Sequence, residues 1–236
     1  MIRHAPPDWT LSAGGGARAI HVVATERRHG DLDVNVAADL LDTRRRAIVD
    51  APWSWCHQVH GAAVHVVEAP GAVAGLDGDG LCTAVSAAPI SVRVADCAPV
   101  VLADPAGLVA VLHAGWRGLM AGIIAEGAAA MGRLGATEMV AVLGPCIRPD
   151  RYEFGADDLG RIIDRFGPAV AGTTSEGRPA LDLPTAVRAA LDEHGIDIAA
   201  ILGGCTAAED DRRWSHRARG ERERQAVVAW IDGVAP

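Results

Sequence analysis

Three apolar runs, 90–95, 99–102 and 108–112, follow one another with only a few residues between them. Runs of this length and largely apolar character predict strands covered on both faces rather than strands with one wet side. A chain with such strands must supply further layers above and below them. The rest of the sequence offers those layers. A β-branched run at 18–25 and late runs at 198–202 and 225–231 read as strands, though the last could equally be a short helix. Shorter strands are expected at 53–59, 62–68 and 138–143. The apolar, Ala-rich stretch 118–134 predicts a buried helix, with others at about 156–166 and 183–194. Asn35 is expected to cap a helix reaching about 49, and the Gly-rich stretch 69–80 to be a loop. Strands and helices mix without strict alternation, which predicts an α+β fold with mixed sheets flanked by helices. At 236 residues the chain is expected to form one domain over 1–236, with its core at about 18–231.

Half the residues are hydrophobic, enough to bury a sizeable core without covalent staples. The net charge of -8 argues against a general nucleic-acid or anionic-membrane binder. No stretch approaches the length of a membrane span, and the first ten residues lack the apolar segment of a secretory leader. Five cysteines, an odd number without a CxxC pair, are expected to be free thiols in a reducing compartment, so a cytoplasmic location is expected. The sequence contains no Lys, which excludes Schiff-base, P-loop and Ser–Lys chemistry; an anionic ligand must be held by Arg, backbone N–H groups or a metal.

Three segments place a metal-ligating residue at the end of an apolar strand: His60 in WCHQVHG, Cys97 in SVRVADCAPVV and His113 in VAVLHAGWRG. Two imidazoles and a thiolate suit zinc, and three protein ligands leave a fourth position for water or substrate. Their spacing matches no short metal motif. Cys97 could instead be a nucleophile with His60 or His113 as its base, and the residues alone leave these two readings open. Downstream of His113, Arg117 stands at a strand-to-helix junction and is a candidate anion ligand. Arg27 and Arg28 are weaker candidates. The remaining histidines, including His4, His29 and His194, are too scattered for a multicopper cluster. The Arg- and Glu-rich segment 212–224 reads as a solvated loop.

The motifs QVHG (58–61), ADC (95–97), HAGWRG (113–118), LGPCIRPDRYEFG (143–155), CT (205–206) and SHR (215–217) occur together and in order. In this the chain resembles the YfiH-like family, also described as laccase-domain or multicopper polyphenol oxidase proteins and as purine nucleoside phosphorylases. The resemblance implies an α+β fold like that of the cytotoxic necrotizing factor catalytic domain. It implies His60, Cys97 and His113 as zinc ligands, with copper as the other metal to consider. Cys97, His113 and Arg117 would serve catalysis, and Arg27, Arg117 and His216 would bind substrate or phosphate. The implied substrates are small nucleosides (adenosine, inosine and 5'-methylthioadenosine) with phosphate, and deamination of adenosine is implied beside phosphorolysis. Phenol oxidation and editing of peptidoglycan precursors are the family's other described activities. The region 24–39 departs from the family pattern, so either Arg27 or Arg28 fills the family's Arg position. RERQ (222–225) likewise stands where Thr-Gly-Arg is usual.

Overall fold

The computed structural model describes residues 8–16 and 18–232; His4 lies outside them. In chain order the strands and helices are β1 (Trp9–Ala13), β2 (Arg18–Ala24), α1 (Ala38–Ile48), β3 (Ser54–His57), β4 (Val64–Val66), β5 (Ala74–Asp77), β6 (Gly80–Thr83), β7 (Ile90–Val94), β8 (Ala98–Asp104), β9 (Leu108–Ala114), α2 (Trp116–Ala121), α3 (Ile123–Arg133), β10 (Val140–Leu143), α4 (Ala156–Phe166), β11 (Ala171–Thr173), β12 (Pro179–Leu181), α5 (Leu183–Asp192), β13 (Asp197–Ile201), α6 (His216–Arg219) and β14 (Gln225–Ile231).

Two six-stranded mixed sheets result, one ordered β1-β2-β14-β7-β3-β5 and the other β13-β10-β8-β9-β6-β4. The apolar runs form the inner strands because both of their faces are covered. On β8 and β9, Val101, Ala103, Val109 and Val111 pack against Val22, Ile90, Val92 and Val227 of the facing sheet. Their neighbours Val100, Leu102, Ala110 and Leu112 turn the other way, onto Ile123, Ile124 and Met131 of α3 and Val187 and Leu191 of α5. The first sheet repeats the pattern, with Val23, Val228 and Trp230 meeting Leu41 and Ile48 of α1. The layers therefore run helix, sheet, sheet, helices, an α+β domain. Each large side chain buried this way contributes roughly 1.5–3 kcal/mol.

Local readings are corrected in several places. The single helix expected over 118–134 is two, because Gly122 takes a left-handed φ of 90° and ends α2 after one and a half turns. Asn35 caps nothing: its side chain donates to Asp33 Oδ1 at 2.6 Å, and α1 begins at Ala38 without a side-chain cap. The glycine-rich stretch contains strand β5, which pairs in parallel with β3. Residues 225–231 form a strand that pairs with both β2 and β7. Strand β1 and the hairpin β11–β12 had no periodic signal long enough to announce them.

Candidate metal centre and cleft

His60 lies in the turn after β3, Cys97 in the turn between β7 and β8 and His113 near the end of β9, and their ligand atoms lie within 4.8 Å of one another. Cys97 Sγ is 3.9 Å from His60 Nε2, and the two imidazoles meet edge to face with centroids 4.9 Å apart. Among the described residues this is the one group of three such donors that could hold a metal ion. A tetrahedral zinc would set its donors roughly 3.3–3.6 Å apart, so the group fits the ion with a small contraction. When bound, such an ion supplies Lewis acidity and lowers the pKa of a water in its open position.

Asp79, just before β6, builds much of this geometry and drew no attention in the sequence. Its carboxylate is fully buried and accepts from His113 Nδ1 at 2.8 Å. It also accepts from the backbone N–H groups of Val59, His60 and Gly61, at 3.2, 3.0 and 2.7 Å. The turn these bonds close puts His60 in the left-handed region, at φ 60°. Asp79 thus orients one imidazole through its ring and the other through its backbone. Burial opposes the Asp79 charge, yet the bonds from His113 and Gly61 hold its carboxyl below the ordinary value. Gly115 gives the site its room. A Cβ there would lie 3.0 Å from Cys97 Sγ and 3.1 Å from His60 Cδ2.

Burial also opposes ionisation of Cys97, but the charge of His113 and hydrogen bonds from both histidines bring the thiol down to about 6. Burial disfavours charge on His113 as well; the Cys97 thiolate and Asp79 outweigh it and raise the imidazole to about 9. Between those values the metal-free pair is a thiolate beside an imidazolium. A metal needs the thiolate and the neutral ring, so loading it at pH 7 should expel about one proton from His113. Towards pH 5 Cys97 must also deprotonate and the number should rise, while above about 9 His113 should contribute none. Zinc titration calorimetry in buffers of different ionisation heat measures this; a release that does not change with pH would contradict the pairing.

Two of the three donors, His60 and Cys97, line a cleft of about 200 Å³ whose rim includes Trp116, Arg117, Tyr152, His216 and Arg217, while His113 lies buried behind them. Arg117 stacks on the Trp116 ring at 4.4 Å, and Arg217 on Tyr152 at 4.8 Å. Phe154 joins the two rings, edge on to each, at 5.5 and 5.3 Å. His216 and Arg217 open α6, so the Arg-rich segment read as a solvated loop in fact delivers two side chains to the cleft. The helix expected to offer its N-terminus there, α2, has only six residues. Arg27 does not line this cleft: it stacks on Trp214 at 3.8 Å, ion-pairs with Glu221 and donates to the Arg213 carbonyl. Arg28 is exposed and pairs with Glu26. A second depression, of about 230 Å³, is lined by Asp150, Glu153 and Glu176 and holds none of the three donors.

Fold and donor set together define an α+β protein of two stacked mixed sheets with a His–Cys–His group able to take a metal. The family described as multi-copper polyphenol oxidoreductase laccase matches residues 12–232, and the chain belongs to it. It is 33% identical over 209 residues to a purine nucleoside phosphorylase of Mycobacterium tuberculosis, covering 86% of this chain and 82% of the relative. A purine nucleoside phosphorylase of Pseudomonas aeruginosa is 32% identical over 246 residues, with 95% and 97% covered. Among solved structures it is similar to a Neisseria meningitidis protein of the DUF152 family, with TM-score 0.80, 26% identity and 95% and 99% of the two chains covered. The YfiH protein of Bacillus licheniformis shares the fold at TM-score 0.78 and 24% identity, over 89% and 92%. No helix among the described residues is long and apolar enough to cross a membrane.

Proposed function

We propose that the protein is a zinc-dependent purine nucleoside phosphorylase acting on adenosine, inosine and 5'-methylthioadenosine, with adenosine deamination as a second activity. The observation that carries this is the grouping of His60, Cys97 and His113 beside a cleft rimmed by guanidinium groups and aromatic rings. The names of its relatives point the same way. In this reading the three donors hold the metal at the cleft floor. The Trp116–Phe154–Tyr152 wall offers a face on which a purine can stack. Arg117 draws phosphate toward C1' of the ribose and holds it there, so attack costs no further positioning. His216 adds a hydrogen bond at the opposite rim. Arg27 can join phosphate binding only by giving up Glu221.

The test is chromatography of adenosine incubated with zinc-loaded protein, with and without phosphate. Adenine and ribose 1-phosphate should form only with phosphate, at a rate lost in His113→Ala; some inosine should form without it. No product from an intact, zinc-loaded protein would sink the nucleoside reading. Arg117→Ala should raise the phosphate KM about tenfold or more, because a charge-assisted bond is worth roughly 1.5–3 kcal/mol. Unchanged phosphate kinetics would remove Arg117 from the role.

One observation favours a second reading. Asp79, His113 and Cys97 stand in the order of orienting carboxylate, base and nucleophile, with the thiol already lowered to about 6. A cysteine hydrolase of that kind would keep its activity after chelation and lose it on alkylation of Cys97. The zinc enzyme would lose activity on chelation and regain it with zinc.

A further inference from the structure

Asp96 immediately precedes Cys97 and is held at φ 103°, a conformation an L residue adopts only when its surroundings impose it. Its side chain supplies the reason. Oδ1 accepts from the hydroxyls of Thr206 and Ser215, at 2.6 and 2.7 Å, and Oδ2 accepts from the backbone N–H of Arg217 at 2.6 Å. The residue is buried, and most of its acceptor capacity is spent on a segment more than a hundred residues further along the chain. Ser215 in turn caps α6 by accepting from Ala218 N–H at 3.1 Å. One carboxylate therefore ties the turn that carries Cys97 to the turn that carries Arg217.

Two guanidinium groups stand on the cleft rim. Among the described residues the Arg117 guanidinium has no hydrogen-bonding or carboxylate partner; only the Trp116 ring lies under it. Arg217 donates to the Glu153 carbonyl at 2.8 Å through Nη1 and lies over Tyr152, which leaves other N–H groups for a ligand. The aromatic wall between Trp116 and Tyr152 holds the two cations at its opposite ends. The rim's own carboxylate, Asp96, already has its donors. A doubly charged oxyanion is the ligand that suits two planar N–H forks with no competing acid.

We propose that Arg217 and Arg117 form a two-armed clamp for orthophosphate beside Cys97, and that Asp96 is the positioning residue that sets the Arg217 arm. The choice of free phosphate rests on the phosphorylase reading; the clamp itself rests on the two guanidinium groups.

The experiment is calorimetric titration of zinc-loaded, full-length protein with orthophosphate, and separately with adenosine 5'-monophosphate. Arg217→Gln and Arg117→Gln should each weaken orthophosphate about tenfold. Arg46→Gln, on α1 and paired there with Asp42 and Asp50, should change it less than about twofold. Asp96→Asn keeps a residue that tolerates positive φ but points an amide at the Arg217 N–H or at the two hydroxyls. It should weaken orthophosphate about fivefold alone and add almost nothing to Arg217→Gln, since the two act on one arm. A merely structural lesion would multiply with Arg217→Gln instead, and that result would remove Asp96 from the role. Zinc content and thermal midpoint are measured for every variant. If Asp96→Asn does not fold, Ser215→Ala carries the same cycle. A wild-type affinity in Arg217→Gln overturns the clamp; an effect on the nucleotide alone overturns the assignment to free phosphate. Phosphate binding that depends on Arg217 in a protein without nucleoside turnover would sink the phosphorylase reading and leave the clamp standing.

Discussion

Asp79→Ala should destabilise the protein by about 3–5 kcal/mol and, on the zinc reading proposed above, leave it with little bound metal at micromolar zinc. Removing one member of a buried charged pair leaves the other uncompensated, and that alone costs about this much. Here the loss also orphans three consecutive backbone N–H groups at the His60 turn. For a chain of this size the thermal midpoint should fall by roughly 10 °C. Asp79→Asn is the sharper test, because it keeps the shape. The amide can still accept from His113 or from the turn, but it presents N–H to whichever remains. Carboxylates behind metal-bound imidazoles are worth about 10–100-fold in metal affinity or activity; Asp79 stands behind the His113 ring and holds the backbone of His60. Zinc affinity by chelator competition and the melting midpoint measure the two effects. A variant with wild-type zinc affinity would reduce Asp79 to a fold residue.

Gly115→Ala should separate the site from the fold. Its φ of -71° and ψ of 162° are open to any residue, and at a helix N-cap alanine costs only about 1 kcal/mol or less. The new methyl would press on Cys97 Sγ and His60 Cδ2, two groups a metal must draw inward. Overpacking of this kind costs about 1–3 kcal/mol, and the donors can relieve it only by spreading. Zinc affinity should therefore drop about 10–100-fold while the metal-free protein melts within a few degrees of wild type. Equal losses in both measurements would mean that the strain has spread into the sheets.

Strands β8 and β9 were legible in the sequence because burial on both faces leaves their central runs no polar residues to alternate with. The three candidate donors were legible as residues at strand ends, though only the fold brings 60, 97 and 113 together. Asp79 was hidden in a stretch of glycines that read as loop, where nothing local marks a carboxylate as buried. Arg217 was hidden for the opposite reason. The segment around it is crowded with Arg and Glu, and such composition reads as a wet surface; Asp96, through a contact 121 positions away, turns part of it toward the cleft. The break at Gly122 was missed because an isolated glycine is tolerated in a helix, and only its left-handed φ ends one.

Strand β14 is nearly the last element of the described chain, yet it lies in the middle of its sheet, between β2 and β7. During synthesis those two partners emerge long before it and cannot pair with each other across the gap it will fill. The first sheet stays open, with unpaired edges and apolar faces uncovered, until residues 225–231 leave the ribosome. The three metal donors, by contrast, are all translated by residue 113. A nascent chain thus holds all three candidate donors well before it has a closed core, and a chain without 225–231 leaves the first sheet open between β2 and β7. The first sheet therefore closes on a strand made more than a hundred residues after the last of those donors.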